Sequence, residues 1–193
     1  MIIGIDPGLA GAISVLADDG TLVSMHDTPV LTLRTSRGSR QEYDLPALAA
    51  LLAPYAGPQT HVLIEEAQAM PGQGTRSMFQ VGLGMGVWLG ILGALGMAHT
   101  RVRPGVWKKA LRLTSDKEQA RLRAMQLFPQ ADLRRKKDHG RSEALLLAWY
   151  GLHHLMAEIV TRENASKMLT MPIVEAYTGK IERVISHKGY KIE

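Results

Sequence analysis

The sequence predicts an α/β fold, and three observations carry the prediction. Two apolar segments, Ile2-Ile3-Gly4-Ile5-Asp6 and His61-Val62-Leu63-Ile64-Glu65-Glu66, have the length and continuous hydrophobicity of strands buried on both faces, and each ends in acid. Between and after them stand helix-start signals: Asp44 followed by Pro46, and Ser115-Asp116-Lys117-Glu118 with capping-box spacing. A composition of 46% hydrophobic and 21% charged residues over 193 positions suits one globular domain with at most an appendage.

Residues 2–6, 11–17 and 20–27 read as three strands joined by the turns Pro7-Gly8 and Asp18-Asp19-Gly20, so the chain opens as an antiparallel meander. A polar loop bearing Arg34, Arg37 and Arg40 follows, then a helix capped by Asp44 with Leu48, Leu51 and Leu52 on one face. The strand ending at Glu65 comes next. Residues 79–98 are apolar enough to span a bilayer by length. Glycines 82, 84, 86, 90, 93 and 96 lower that suitability, and the segment lies between two strands, so no membrane span is expected. Gly82, Gly86 and Gly90 recur every fourth residue and leave a smooth stripe, either a core contact or a dimer seam. A strand at 97–103, a short helix from Pro104, the helix at Ser115 and a last helix from Asp138 or His139 to Met156 complete the series. Its packing positions are Ala144, Leu145, Leu147, Ala148 and Leu152. Residues 1–158 form the expected main domain, and 159–193, less apolar and rich in Lys and Glu, an extension of unassigned role.

Composition limits the chemistry. The chain has no cysteine, which excludes disulfides and thiolate metal sites, so any metal must sit on Asp, Glu or His. The first residues lack the basic-then-apolar pattern of a secretory signal, and a cytoplasmic location is expected. The net charge of +5 favours a polyanionic partner. Three basic clusters, Arg34/Arg37/Arg40, Arg101/Arg103/Lys108/Lys109/Arg112 and Arg134/Arg135/Lys136/Lys137, lie along the chain among the candidate carboxylates.

Asp6 and Glu65 at strand ends, with Asp138, His139 and Glu143 at a helix start, form a set of hard ligands. Gathered together, such carboxylates repel unless divalent cations share the site, and oxygen donors suit Mg²⁺ or Mn²⁺. Two ions about 3.5–4 Å apart would serve phosphodiester hydrolysis without a nucleophilic side chain. His139 and Glu143 are four residues apart and share a helix face, whereas Asp138 reaches inward from the helix end or only caps it.

In these motifs the chain resembles the RuvC-type Holliday junction resolvases of the RNase H-like superfamily, most closely their virus-encoded members. Gly4-Ile5-Asp6-Pro7-Gly8, Ile64-Glu65 and Asp138-His139-Gly140-Arg141-Ser142-Glu143-Ala144 resemble the family's three motifs, in order, over residues 1–156. The resemblance implies an RNase H-like mixed five-stranded sheet flanked by helices. It also implies a Mg²⁺-dependent endonuclease, with Mn²⁺ able to substitute and two ions per site, that cuts four-way junctions by paired nicks as a homodimer and uses no nucleotide cofactor. Asp6, Glu65 and Glu143 match three of the family's four acidic ligands; Gly140 stands three residues before Glu143, leaving Asp138 or His139 as the fourth. Lys108 and Lys117 are similar in placement to two family lysines near the scissile phosphate, and are otherwise solvated surface charge. Both also suit phosphate contact by their positions after a Pro-Gly turn and at a helix start, with Lys109, Arg112 and Arg76 as further DNA contacts. Arg76 and Ser77, in the loop after Glu65, fall in the region that resembles the family's junction-probing segment. An aromatic is frequent there, and this chain offers Gln68, Met70 and Phe79.

The residues by themselves indicate metal-dependent phosphodiester hydrolysis. A looser nuclease on forks and flaps, a non-catalytic DNA-binding dimer and a fragment of an actin-like ATPase, whose first phosphate loop also resembles Ile5-Asp6-Pro7-Gly8, are the competing readings.

Overall fold

The computed structural model describes residues 1–36, 38–67 and 72–155. Arg37, Gln68, Met70 and the whole of 159–193, on which sequence readings fall, lie outside the described residues, as does the boundary at 158.

Five strands form the sheet: β1 (Ile2–Asp6), β2 (Ala12–Leu16), β3 (Leu22–Asp27), β6 (His61–Glu65) and β7 (Ala98–Val102), ordered β3-β2-β1-β6-β7. The β1–β2 and β2–β3 pairs are antiparallel, as the short turns require, whereas β1–β6 and β6–β7 are parallel. Parallel pairing with Ile5 opposite Ile64 brings Asp6 and Glu65 out at the same edge of the sheet, on adjacent strands. That edge is where a parallel α/β sheet accepts ligands.

Alternation along the strands sends successive side chains to two cores. Ile2, Leu63 and Val102 join Trp107 of α3 (Pro104–Ala110), Ala120 and Ala124 of α4 (Lys117–Leu127) and Leu145 of α5 (His139–Tyr150) on one face. Ile3, Ile5, Val62 and Ile64 meet Leu48 and Leu52 of α1 (Leu45–Leu52), with Trp88 and Leu92 of α2 (Thr75–Ala94), on the other. The middle of α5 is buried from Ser142 to Ala148, which explains its nearly unbroken apolar run. A π-helical turn, Gly151–Leu155, follows it.

Three local expectations are corrected. The polar loop with Arg34 and Arg40 is a β-hairpin, β4 (Val30–Thr35) paired antiparallel with β5 (Gly38–Tyr43) as a separate two-stranded sheet. The helix after Ser115 is capped by Asp116, whose Oδ1 accepts from the Glu118 N–H at 2.9 Å, so the cap falls one residue later than expected and the Ser115/Glu118 capping box does not form. Glu118 turns instead to Arg121. Arg76 and Ser77 belong to the first turn of α2 rather than to a loop, because the helix begins four residues earlier than the apolar run. Asp44 caps α1 as expected, its Oδ1 accepting from Ala47 N–H at 3.0 Å.

By length and composition α2 could cross a membrane, yet its Gly84, Trp88 and Leu92 line lies buried on the sheet. Its opposite face is open, with Phe79 65% exposed and nothing within 4 Å of a Cβ built at Gly82, Gly86, Gly90 or Gly93.

Candidate active site

Asp6 and Glu65 are mostly buried where the parallel strands end, and Glu143 projects toward them from the first half of α5. Burial, and then the Glu143 charge, pushes the Asp6 carboxyl up to about 6, against the opposing pull of the Gly8 N–H, Lys117 and Lys108. The same two causes push Glu65 up to about 7, opposed by the Trp107 indole and by Lys108. Trp107 Nε1 donates to Glu65 Oε2 at 2.7 Å, and Lys108 Nζ donates to Glu143 Oε1 at 2.6 Å. Consecutive residues of α3 therefore hold two different carboxylates. Trp107 is a site residue that the motif reading missed; its only sequence signal is adjacency to Lys108 on a short helix.

The structure thus brings Asp6, Glu65, Glu143, Lys108 and Lys117 into one electrostatic neighbourhood. No three His, Asp or Glu side chains among the described residues stand close enough to form a ready coordination shell. The donor set nevertheless fits a hard divalent cation, because buried carboxylates that raise one another's proton affinity are those a cation would relieve. A cavity of about 280 Å³ opens beside Asp6 and Glu65, walled by Tyr43 and Gln80.

Asp138 and His139 part ways at the start of α5. Asp138 occupies the N-cap position but makes no side-chain cap bond. Its Oδ2 accepts from the Arg135 backbone N–H and its Oδ1 from Arg135 Nε, both at 2.8 Å. Burial pushes its carboxyl up, the Arg135 hydrogen bonds and charge pull it down, and the net position is below the usual carboxylate range. Arg135 also approaches Asp27 at 3.7 Å, and Arg141 holds Asp27 with two bonds, so this acid belongs to an arginine network between β3 and α5. His139 Nδ1, by contrast, is buried with no hydrogen-bond partner among the described residues. Gly140 has a packing reason: a Cβ there would lie 2.5 Å from the Ala10 carbonyl, so no side chain fits while α5 abuts the turn after Asp6.

Lys117 begins α4 and is exposed, and Lys109, Arg112 and Arg76 are exposed as well. Arg112 adopts φ 56°, a left-handed backbone uncommon outside glycine, in the turn that ends α3. Arg40 of the hairpin, with Arg76 and Phe79 of α2, borders an open groove of about 760 Å³.

A mixed sheet of this order, with carboxylates at two adjacent parallel strand ends and on the closing helix, defines an RNase H-like α/β domain. No protein-family model matches the chain. The Holliday junction resolvase MOC1, chloroplastic, of Chlamydomonas reinhardtii is 34% identical over 113 residues, 55% of this chain but 13% of that protein, so the chain spans a small part of its relative's length. Among solved structures, T. thermophilus RuvC in complex with a Holliday junction substrate matches with TM-score 0.55 at 18% identity, covering 80% of this chain and 94% of that one. Thermus thermophilus RuvC matches with TM-score 0.53 at 16% identity over 81% and 96%. The fold is that of RuvC, and the resemblance to RuvC-type resolvases read from three short motifs is found again in sequence and in structure.

Proposed function

We propose that this chain is a metal-dependent endonuclease that resolves four-way DNA junctions by paired nicks. The observation that carries the proposal is the group of buried, mutually repelling carboxylates Asp6, Glu65 and Glu143 with Lys108 bound into it. The resolvase relative and the RuvC fold supply the substrate class. Asp6, Glu65, Glu143 and His139 would hold the cation, Mg²⁺ or Mn²⁺, as two ions per site. His139 is preferred to Asp138 because Arg135 already engages both Asp138 oxygens, whereas His139 lies four residues before Glu143 on the same helix and its Nδ1 has no hydrogen-bond partner among the described residues. Such ions supply positive charge that activates the attacking water and offsets charge on the phosphate and leaving oxygen.

The chain's own residues do the rest. Trp107 orients Glu65, Lys108 sits among the carboxylates where it can reach a bound phosphate, and Lys117 offers charge at a helix N-terminus. Arg76, Lys109 and Arg112 hold the DNA backbone, as exposed cations outside the carboxylate group do. Paired nicks call for two active sites, and the open glycine face of α2 is the surface through which a second copy binds. Its close-approach geometry suits another helix, and Phe79 and Leu83 beside it offer apolar area to bury. A cytoplasmic location belongs to the same reading, although the Chlamydomonas relative is chloroplastic.

The test is cleavage of matched four-way junction, fork and duplex DNA with Mg²⁺ and with EDTA. Junction cuts at symmetric positions, lost in EDTA and in Asp6→Asn with binding retained, are expected. Metal-independent cutting, or no cutting by wild type, overturns the proposal; equal rates on forks move the assignment to a general branched-DNA nuclease.

A further inference from the structure

The peptide that follows the first acid is held from two distant places. Pro7 C=O accepts from the Tyr43 hydroxyl at 2.9 Å and from Trp88 Nε1 at 3.2 Å, both bonds buried. Tyr43 is the last residue of β5 and Trp88 lies in the middle of α2, so the hairpin and the long helix meet on this one carbonyl. A carbonyl has two acceptor lone pairs, and both are used here. Proline has no N–H and a fixed φ, so the direction of its carbonyl governs how the turn after Asp6 is set. Within that turn Asp6 Oδ1 accepts from Gly8 N–H at 3.2 Å and Gly8 C=O from Gly11 N–H at 2.9 Å.

Gly84 makes the arrangement possible. A Cβ at that position would lie 2.3 Å from the Tyr43 oxygen and 3.2 Å from the Pro7 oxygen. Unlike Gly82, Gly86 and Gly90, whose surroundings are open, this glycine faces the clamp. Tyr43 also walls the cavity beside Asp6 and Glu65. Its phenol is pushed up by burial and then by the Asp6 charge, so the two groups sense each other.

We propose that Tyr43 and Trp88 are positioning residues for the Asp6 carboxylate: by clamping the Pro7 carbonyl they fix the acid turn against β5 and α2, and so set the affinity of the site for its divalent cation. The inference deepens the nuclease reading and rests on it. Outer groups that orient a metal ligand typically change metal affinity 10–100-fold when removed, about the range expected here. A ligand displaced by roughly 0.5 Å is enough.

The experiment is calorimetric titration of Mn²⁺ into the full chain at pH 8, without DNA, for wild type, Tyr43→Phe, Gly84→Ala and the double variant, with thermal melts in EDTA. Tyr43→Phe keeps the ring in place and removes one donor; a loss of about tenfold in Mn²⁺ affinity is expected, with metal-free junction binding unchanged. Trp88→Phe should act in the same direction. Gly84→Ala should match Tyr43→Phe, and the double variant should lose less than the sum, since the closest clash is with the deleted hydroxyl. Wild-type Mn²⁺ affinity in Tyr43→Phe overturns the inference, even with a lower melting temperature, because that result marks a merely structural bond. Wild-type protein that neither binds Mn²⁺ nor cleaves junctions overturns the nuclease reading and this inference with it.

Discussion

Replacing Glu65 by Gln should abolish cleavage and at the same time stabilise the metal-free protein at alkaline pH. Folding moves this carboxyl from 4.5 to about 7, chiefly through burial and then through Glu143, so the folded state holds its proton more tightly than the unfolded chain. A group with a raised folded value binds more protons when folded, and stability therefore falls as pH rises between the two values. Below pH 4.5 both states are protonated and nothing is lost; above about 7 both are ionised and the full penalty applies. The span is about 2.5 pH units, which at 1.36 kcal/mol per unit makes roughly 3 kcal/mol. Gln cannot ionise and its carbonyl can still accept from Trp107 Nε1, so the variant escapes the decline. In EDTA at pH 8 it should melt roughly 6–12 °C above wild type, by the 2–4 °C per kcal/mol typical of this chain length, and nearly with it at pH 4.5. Mn²⁺ should close the gap by stabilising wild type, about 2.7 kcal/mol at a hundredfold excess over the dissociation constant. Differential scanning calorimetry across pH 4.5–8 provides the measurement. Parallel curves for the two proteins in EDTA would refute the account, since they would mean that Glu65 carries no burden from its neighbours.

The remaining predictions concern the groups around this carboxylate. Lys108→Ala and Lys117→Ala should each reduce single-turnover cleavage more than junction affinity, as expected of groups that act on the phosphate in the transition state; equal losses would make them ordinary backbone contacts. Lys108→Ala should in addition destabilise the fold by about 1–3 kcal/mol, because Glu143 is left buried without its 2.6 Å partner. Asp138→Asn should cut within a few-fold of wild type while His139→Ala loses roughly 100-fold or more; the reverse order would return the fourth ligand to Asp138. Gly86→Leu should turn dimer to monomer in sedimentation with the melt unchanged, since the added side chain points into open space in the single chain. A variant that remains dimeric would place the seam elsewhere.

The sequence by itself determined the strand-end acids, since an apolar run that finishes in Asp6 or Glu65 announces both its burial and its exit to solvent within five residues. It also determined α1, through Asp44 and Pro46, because a cap is a contact over three residues. What it could not supply were pairings across long separations. The hairpin of β4 and β5 packs few of its described side chains away, leaving even Leu31 exposed, and its register comes from cross-strand bonds, so its arginines read as a loop. Asp138 looks like a cap or a ligand until Asp27, 111 positions earlier, is found bound to the same arginine that holds it. In α2 the spacing of Gly82, Gly86 and Gly90 was legible, but not that Gly84, Trp88 and Leu92 form the inward line, because a helix with apolar residues on every side carries little directional signal. Only packing against Ile3 and Ile5 of the sheet chose that face, and with it which glycine meets Tyr43 and which are left open.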